Sequence, residues 1–460
     1  MTFNQSPDPL TALVDIISTQ TAVLQSAYKD DSTKVPSIDD PYQPTPLEFD
    51  PSVTAARNLI VAAATQLIAT VGSPHELIYA NLCGEYDTVT MGFIVDVNIP
   101  EILKEAGMQG LHVDELSLAT GIGSSYIGEY PRSCSRVLRH LATRHIFKEV
   151  SPNVFAHNRL SSLLTKAKSL KEIKEDPASR YDNSSIAAFS QMAADELLKS
   201  LTAFIPFIKN PKQASAPFNI AYNTPEKMWE WTEKPGNELV SRKFGAAMQN
   251  IGEMSPPEVF TSGIEADKLK AHDIVVDVGG GVGTLTLTLK KAFPNLRYIV
   301  QDLDQQIVAA QKFWAEKDSE AIEAGQVQLQ AHDFGKPQPI EGAAVYLLRM
   351  VLHNCSDDDA RKLLKNLRSA ADINKSKLVV FEMLAKHVTE EFGPGVPYPL
   401  LPNLGVVGGG SITSLDMAML TMYDGQERTL EEYTQLGKEA GWKLNDVRKG
   451  DLAALIFTPI

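Results

Sequence analysis

One histidine of this chain stands where a general base is useful. The apolar run at 344–348 predicts a strand, and His353 follows shortly after its end. Imidazole has an ordinary pKa near neutrality, so it can take a proton from a hydroxyl group at physiological pH. A histidine near a strand end is more often structural than catalytic, so the neighbouring elements decide between the two interpretations.

A glycine-rich segment after another apolar run predicts a nucleotide-type site. The predicted strand at 274–278 contains Asp277 and leads into Gly279, Gly281 and Gly283, which a helical stretch follows. Glycines at such a point let the backbone turn tightly and approach a ligand closely. Their spacing is tighter than the GxGxxG of dinucleotide folds. A nicotinamide cofactor and a purely structural turn are the alternatives.

Polar and aromatic side chains end the next two predicted strands. Asp302 ends the second strand, where a carboxylate can accept hydrogen bonds from ribose hydroxyl groups. Asp333 and Phe334 end the third strand, where an acid can bind an adenine amino group and an aromatic ring can pack on the base. A glycine loop alone indicates little. The loop followed by these residues, in order and at strand ends, predicts a cofactor that contains a nucleoside.

These residues need a sheet that places them at one edge. Apolar runs of strand length alternate with helical stretches from about residue 272, at 274–278, 298–300, 327–329, 344–348 and 378–381. Such runs are typical of a parallel sheet covered on both faces, which binds ligands at the carboxyl ends of its strands. The last two apolar stretches predict an antiparallel terminal pair. The predicted class is α/β, with a doubly wound, mostly parallel sheet over residues 255–460.

The N-terminal part of the chain predicts mainly helices. Residues 1–50 predict a helix and a proline-containing linker, an arm that packs on another subunit or is loosely held. Residues 51–185 predict helices followed by a hairpin at 145–158, which is the winged-helix pattern. Residues 186–254 predict a helical connector and pocket wall. A winged helix suggests either DNA binding or dimerisation, and few basic residues in an acidic chain favour dimerisation.

Composition argues against several classes of function. The chain has 460 residues and a formal charge of −14, so nucleic acid and anionic membranes are poor partners. Three cysteines lie far apart without a CxxC pair, so we expect neither a disulfide framework nor a zinc site, and a cytoplasmic location. The N-terminus does not resemble a signal peptide. The apolar stretch at 59–71 is too short to span a bilayer and predicts a buried helix.

Six segments together resemble one protein family. They are DVGGGVGTLTLTL, QDLD, AHDFGKPQP, LLRMVLHNCSDDDARKLLKNL, VVFEML and DGQERTLEEYTQLGKEAGW. As an ordered set they resemble the caffeate-type, S-adenosylmethionine-dependent O-methyltransferases of fungal secondary metabolism. The resemblance implies a class I methyltransferase domain, a winged-helix dimerisation domain and a homodimer. It also implies S-adenosylmethionine as the cofactor, held by residues of the predicted nucleotide-type site: Asp277, Gly279, Gly281, Asp302, Asp333 and Phe334.

The same resemblance assigns roles around His353. It implies that His353 is the base, with acids at the matching positions Glu382 and Glu427 on either side of it. Arg349 matches a cation near the cofactor. The family usually follows the histidine with Asp-Trp, whereas this chain has Asn354-Cys355, a departure that bears on the substrate. The implied mechanism needs no metal ion, and we predict none.

Aromatic and methionine side chains are the predicted walls of a substrate pocket, with core packing as the alternative. The candidates are Phe189, Met192, Trp229, Met248, Met419 and Met422. A loop at 391–415, rich in glycine and proline, could serve as a lid. We expect the substrate to be a small phenolic or enolic secondary metabolite. The alternative function is a pericyclase or dehydratase of the same fold, which binds the cofactor and transforms a polyketide-type intermediate without methyl transfer.

Overall fold

The computed structural model describes residues 8–121, 131–253, 257–391, 395–450 and 452–460. The chain divides into two compact units. The N-terminal unit comprises the described residues within 1–199, 242–248 and 387–411, and the C-terminal unit comprises those within 200–241, 249–386 and 412–460.

Helices dominate the N-terminal unit. Helices α1 (Pro9–Asp30) and α2 (Pro51–Val71) pack along each other as a hairpin. The Asp8 and Asp50 side chains each accept a backbone N–H bond in the first turn of the following helix, and each helix begins with proline. The further helices of this unit are α3 (Pro74–Leu82), α4 (Glu85–Asp96), α5 (Ile99–Ala106), α6 (Val113–Ala119), α7 (Pro131–Ala142), α8 (Leu170–Glu175) and α9 (Ser185–Met192).

A small antiparallel sheet has one strand before α6 and two strands after α7. Its strands are β1 (Leu111–His112), β2 (Lys148–Ser151) and β3 (Val154–Ala156), in the order β1-β3-β2. Leucines from α5, α6 and α7 pack with Phe155 of β3 in one buried cluster. The helices and hairpin predicted for a winged helix are therefore confirmed.

The segment at 395–407, which we call the strap, packs against the α1–α2 hairpin. Its Leu400 and Leu404 join a buried cluster that also contains Leu13, Ala62 and Ala63. Gln66 fixes the strap further, since its Nε2 donates to the Pro399 carbonyl at 2.7 Å and its Oε1 accepts the Leu401 N–H at 3.2 Å. This part of the predicted lid loop is therefore anchored in the N-terminal unit.

Helix α2 is only partly buried, which corrects the prediction of a buried helix. Ala62 and Ala63 are inside, whereas Ile68 is 58% exposed and Val71 is 63% exposed. Among the described residues, α2 is the one helix that is long and apolar enough to cross a membrane, judged by length and composition alone. Of the residues in its most apolar stretch, 22% are buried inside the structure. A single helix of this kind is a weak sign of a membrane span, because helices of soluble proteins also have these properties.

A seven-stranded sheet forms the centre of the C-terminal unit, in the order β6-β5-β4-β7-β8-β10-β9. Strands β4 to β8 are parallel, and β10 pairs antiparallel with both β8 and β9. The doubly wound, mostly parallel sheet and its terminal antiparallel pair are confirmed. The strands are β4 (Ile274–Val278), β5 (Arg297–Asp302), β6 (Val327–Ala331), β7 (Val345–Arg349), β8 (Lys377–Glu382), β9 (Trp442–Arg448) and β10 (Ala453–Pro459).

Both faces of this sheet carry a packed core. Val276, Leu348 and Val380 belong to one buried cluster, whereas their sequence neighbours Val275 and Leu347 belong to another. Alternate residues of a strand point to opposite faces, so helices must cover both. The helices from residue 198 onwards are α10 (Leu198–Leu201), α11 (Phe204–Lys209), α12 (Pro217–Ala221), α13 (Met228–Thr232), α14 (Glu238–Glu253), α15 (Pro257–Gly263), α16 (Thr284–Ala292), α17 (Asp304–Lys317), α18 (Ser319–Glu323), α19 (Asp357–Ala370), α20 (Gly409–Tyr423) and α21 (Leu430–Glu439).

The compact units differ from the predicted segments in two places. Residues 200–241 of the predicted connector group with the C-terminal unit. Residues 387–411, which the sequence places inside the C-terminal domain, group with the N-terminal unit. The burial of Leu400 and Leu404 against the α1–α2 hairpin explains the second difference.

Candidate active site

The sheet topology brings the predicted chemistry to one edge. Strands β5 and β7 lie on either side of β4, and β8 lies beside β7. Because these strands are parallel, the segments that follow β4, β5, β7 and β8 all leave the same edge. The chain runs from β4 outwards to β6 on one side and returns to β7 on the other. This reversal between β4 and β7 is where doubly wound sheets bind their ligands.

The glycine loop after β4 adopts the left-handed backbone that its sequence suggests. Gly279, Gly281 and Gly283 have φ of 68°, 58° and 87°. A Cβ added to Gly281 would meet nothing within 4 Å, so this glycine borders open space. A Cβ added to Gly283 would lie 2.8 Å from Nε1 of Trp314. Gly281 therefore leaves room for a ligand, whereas Gly283 allows close packing inside the unit.

Asp302, at the end of β5, lies directly beside the glycine loop. Its carboxylate accepts the Gly281 N–H and the Leu303 N–H, both at 2.8 Å. Burial raises the pKa of Asp302 to about 6, and these two hydrogen bonds partly oppose the rise. Each carboxylate oxygen keeps a further lone pair for a ligand hydroxyl group.

Phe334 approaches the same loop from the end of β6, since its ring lies 3.8 Å from the position of a Cβ on Gly279. The Asp333 carboxylate accepts the Gly335 N–H at 2.8 Å and is 45% exposed. Open space at Gly281, a carboxylate at Asp302 and an aromatic ring at Phe334 together fit an adenosyl group. These residues are therefore suited to hold S-adenosylmethionine.

Asp277 and Arg349 lie close to the base of the loop. Asp277 is 1% exposed and accepts a hydrogen bond from the Thr286 hydroxyl at 2.7 Å. A Cβ on Gly280 would lie 2.7 Å from its carboxyl carbon, so Asp277 supports the loop from within. The Arg349 guanidinium donates to the Thr284 hydroxyl at 3.3 Å, at the start of α16. Burial raises the pKa of Asp277 and lowers that of Arg349, while their opposite charges counter both effects.

The chain after β7 turns sharply before it reaches His353. Met350 has φ of 54°, a left-handed conformation that is rare for a residue with a side chain. A 3₁₀ turn follows at Leu352–Asn354. One oxygen of Glu382, the last residue of β8, accepts the backbone N–H groups of Val351, Leu352 and His353 at 3.0, 2.8 and 3.3 Å. Glu382 is fully buried and holds this turn by its backbone.

His353 and Glu427 form a buried pair. Nδ1 of His353 lies 2.7 Å from Oε1 of Glu427, and their side chains are 7% and 0% exposed. Burial lowers the pKa of His353, but the charge of Glu382 and the bond to Glu427 outweigh this, so the pKa is raised above 6.5. Burial raises the pKa of Glu382 to about 7, against the opposing effect of His353. Glu427 engages Nδ1, which leaves Nε2 as the nitrogen that can accept a proton from a ligand.

The three residues could also offer ligands to a cation. His353, Glu382 and Glu427 each place one ligand atom within 4.8 Å of the others. The expectation that the site works without a metal ion stays a prediction.

The predicted pocket residues fall into two groups. Trp229 and Met422 line a small, partly open recess in the C-terminal unit, and Met419 is buried on the same helix as Met422. Trp229 also stacks on Tyr423, with ring centroids 4.8 Å apart. The other group belongs to the N-terminal unit, where Met192 and Met248 pack in the core and Phe189 is 44% exposed.

Two residues that hold the pair together are missing from the predicted site. Asp416 of α20 accepts the Glu427 N–H at 2.8 Å. Arg428 is 1% exposed and donates to backbone carbonyl groups on both sides of His353. Its position next to Glu427 in the GQERT segment is the available signal, but neither the residue type nor the spacing predicts that this arginine is buried.

Comparisons with known proteins agree on one family. A protein-family model described as an O-methyltransferase domain matches residues 199–443. The 4-O-methyltransferase 1 of Phanerochaete chrysosporium is 32% identical over 462 residues, which cover 96% of this chain and 96% of that protein. An O-methyltransferase of Armillaria gallica is 35% identical over 425 residues, which cover 88% of each chain.

Solved structures share the fold. The mitomycin 7-O-methyltransferase MmcR matches with a TM-score of 0.64 and 22% identity, covering 85% of this chain and 99% of that one. A protein described as a pericyclic reaction enzyme matches with a TM-score of 0.67 and 20% identity, covering 97% and 100%. At such identities the likeness establishes the architecture alone, and the reaction must be argued from the site.

Proposed function

Because the chain belongs to the O-methyltransferase family, we propose that it methylates a phenolic or enolic hydroxyl group of a small secondary metabolite, with His353 as the general base. The enzyme class and the cofactor, S-adenosylmethionine, follow from the family. The identity of the base and the class of substrate are the proposal.

The observation that carries the proposal is the buried pair of His353 and Glu427. A carboxylate at Nδ1 holds the hydrogen on that nitrogen, so the lone pair is on Nε2. When Nε2 takes a proton, the adjacent carboxylate stabilises the imidazolium that forms. His353 follows β7, which is next in the sheet to β4 and its glycine loop. A base and a cofactor site at neighbouring strand ends are what hydroxyl methylation requires.

The residues of this chain divide the work of the reaction. When bound, S-adenosylmethionine supplies an electrophilic methyl group on a sulfonium. Gly281, Asp302 and Phe334 would hold its adenosyl part. His353 removes the hydroxyl proton at Nε2 and so makes the substrate oxygen nucleophilic. Glu427 and Glu382 orient His353, the first through its ring and the second through its backbone.

The test is the simultaneous detection of both products. The purified protein is incubated with S-adenosylmethionine and a panel of phenols and polyketide-type enols. We expect a product heavier by one CH₂ and an equal amount of S-adenosylhomocysteine. His353→Ala should lose both, by a factor of about 10²–10⁴ that is typical of a general base. His387→Ala is the matched control, because that side chain is 79% exposed in the N-terminal unit.

Other outcomes would reject the proposal. Full activity of His353→Ala would show that His353 is not the base. An isomerised or dehydrated product without S-adenosylhomocysteine would indicate the pericyclase or dehydratase alternative. That alternative is included because a pericyclic reaction enzyme shares this fold.

We also propose that the protein is a cytoplasmic homodimer that assembles through its N-terminal unit. Helix α3 buries none of its residues, and Ile78, Tyr79 and Leu82 are 63%, 70% and 70% exposed. A set of apolar side chains of this size on one short helix is typical of an interaction surface. Light scattering should give twice the chain mass, and Ile78→Glu with Leu82→Glu should give the monomer. A monomeric wild type would reject the dimer.

A further inference from the structure

We propose that Arg428 is a positioning residue that sets the geometry of His353 by clamping the backbone of its turn. The guanidinium donates from one terminal nitrogen to the Leu352 carbonyl at 2.8 Å and from the other to the Cys355 carbonyl at 2.8 Å. These carbonyls lie on either side of His353. Arg428 directly follows Glu427, so one short segment holds the ring of His353 and the backbone around it. The inference rests on His353 being the base proposed above.

The clamp is itself held in a fixed orientation. Nε and the terminal nitrogen that bonds Cys355 also donate to one oxygen of Asp357, at 3.0 and 2.8 Å. Asp357 is the first residue of α19, where its charge also suits the positive end of the helix dipole. The Arg428 side chain is 1% exposed. A planar, rigid fork with these partners has one arrangement, which a flexible lysine ammonium does not reproduce.

Gly425 and Gln426, which precede Glu427 and Arg428, also contact the turn that carries His353. The Gln426 N–H donates to the His353 carbonyl at 2.9 Å. A Cβ on Gly425 would overlap that same carbonyl oxygen, so the close approach requires glycine. The turn is therefore held on both sides, with its N–H groups on Glu382 and its carbonyl groups on residues 426 and 428.

A buried arginine that only satisfied carbonyl groups would matter for stability alone. A positioning residue instead affects the rate of the chemical step and the proton affinity of His353. Arg428→Lys keeps the positive charge, so a change in His353 must come from geometry. Loosening the turn weakens the contact of Glu427 with Nδ1, and this contact raises the pKa of His353. The acid limb of the pH–rate profile should then move to lower pH.

The experiment compares Arg428→Lys with Arg368→Lys. Arg368 also donates to main-chain oxygen atoms, those of Gly441 and Ile460, which are distant in the sequence from the turn that carries His353. For Arg428→Lys we expect kcat to fall by roughly 30-fold or more, since displacement by about 1 Å can cost 10²-fold. The Kd for S-adenosylmethionine should stay within about threefold of the wild type. Arg368→Lys should keep kcat within about twofold, even where its Tm falls.

Two results would overturn the inference. One is an Arg428→Lys enzyme with the kcat and acid limb of the wild type. The other is a loss of kcat that is matched by the loss of cofactor binding, as expected of general structural damage. If Arg428→Lys does not fold, Asp357→Asn replaces it, because the Asp357 side chain is 58% exposed. That variant keeps an accepting oxygen but loses its charge, which weakens one side of the clamp and should lower kcat about fivefold; an unchanged kcat would equally overturn the inference.

A readout without catalysis separates this inference from the proposed function. The Nδ1 proton of His353, bonded to a carboxylate, should give a far-downfield proton resonance that is absent in His353→Ala. We expect Arg428→Lys to shift or lose this resonance and Arg368→Lys to retain it. If His353→Ala keeps its activity, the proposed function fails, while the resonance still tests the clamp. A resonance unaffected by Arg428→Lys overturns the clamp even when His353 is the base.

Discussion

Replacing Glu427 by glutamine tests how much of the base strength of His353 comes from one buried carboxylate. The bond from Nδ1 to Oε1 is 2.7 Å long and the Glu427 side chain is fully buried, which places it among the strong, charge-assisted bonds. Such bonds contribute about 1.5–3 kcal/mol, and the short, dry geometry favours the upper value. At 1.36 kcal/mol per tenfold change, about 3 kcal/mol corresponds to roughly 150-fold in the proton affinity of His353.

The direction of the pH effect follows from the charge. Glu427 raises the pKa of His353, so its removal lowers that pKa. The base must be neutral to act, and the acid limb of kcat should therefore move to lower pH in Glu427→Gln. The plateau rate should fall by up to the same factor, because the imidazolium that forms as the proton moves is no longer stabilised.

The assay is the rate of S-adenosylhomocysteine formation across the pH range around neutrality, at saturating substrate. Glu431→Gln is the matched control, since Glu431 is exposed in the first turn of α21 and its loss should leave the profile unchanged. An acid limb that stays in place or moves to higher pH in Glu427→Gln would refute the reasoning. So would a plateau rate equal to that of the wild type.

Three further outcomes are expected. Asp302→Asn should weaken binding of S-adenosylmethionine by roughly tenfold, which is the value of one hydrogen bond to a charged group. The affinity of the wild type should fall as the pH drops through about 6, because Asp302 is then protonated, whereas the affinity of the variant should not. Titration calorimetry at several pH values measures both effects. Gly283→Ala should lower the free energy of unfolding by about 1–3 kcal/mol, because its left-handed backbone would be strained and its Cβ would overlap Trp314. Gly281→Ala should mainly reduce the affinity for the cofactor, since its Cβ meets only open space. Equal losses of stability for the two variants in urea titrations would contradict this difference between the two glycines. A chelator should leave the methylation rate unchanged and added Zn²⁺ should inhibit through His353 and its two acids; loss of activity with the chelator would show that the enzyme needs a metal ion.

Local signals account for the parts of the structure that the sequence predicts. The run IVVDV coincides with β4 because a buried parallel strand needs continuous β-branched residues. Thr429 and Glu432 form a capping box and Ser356 caps α19, and both caps can be read from residue types three positions apart. Each of these features depends on residues a few positions apart, and the chemistry of the side chains determines it.

The parts that the sequence does not predict depend on segments that are far apart in the chain. His353 and Glu427 are separated by 74 positions, and only the resemblance to a family connected them. The left-handed Met350 has no local cause, since the turn is held by Glu382 from another strand. Methionine and aromatic residues suit cores and pockets equally well, so Met192 could not be assigned to either from its type.

The strap has a consequence for how the protein is made. The hydrogen bond from Gln66 to Pro399 spans 333 positions, so the α1–α2 hairpin leaves the ribosome long before its cover exists. At about 5–20 residues per second, the hairpin waits roughly 15–70 s with Leu13 and its neighbours uncovered. During that interval the apolar face of the hairpin stays exposed and can associate with other apolar segments. A fragment that ends before residue 395 would lack Leu400 and Leu404, so the N-terminal unit is completed only by a segment from the C-terminal part of the chain.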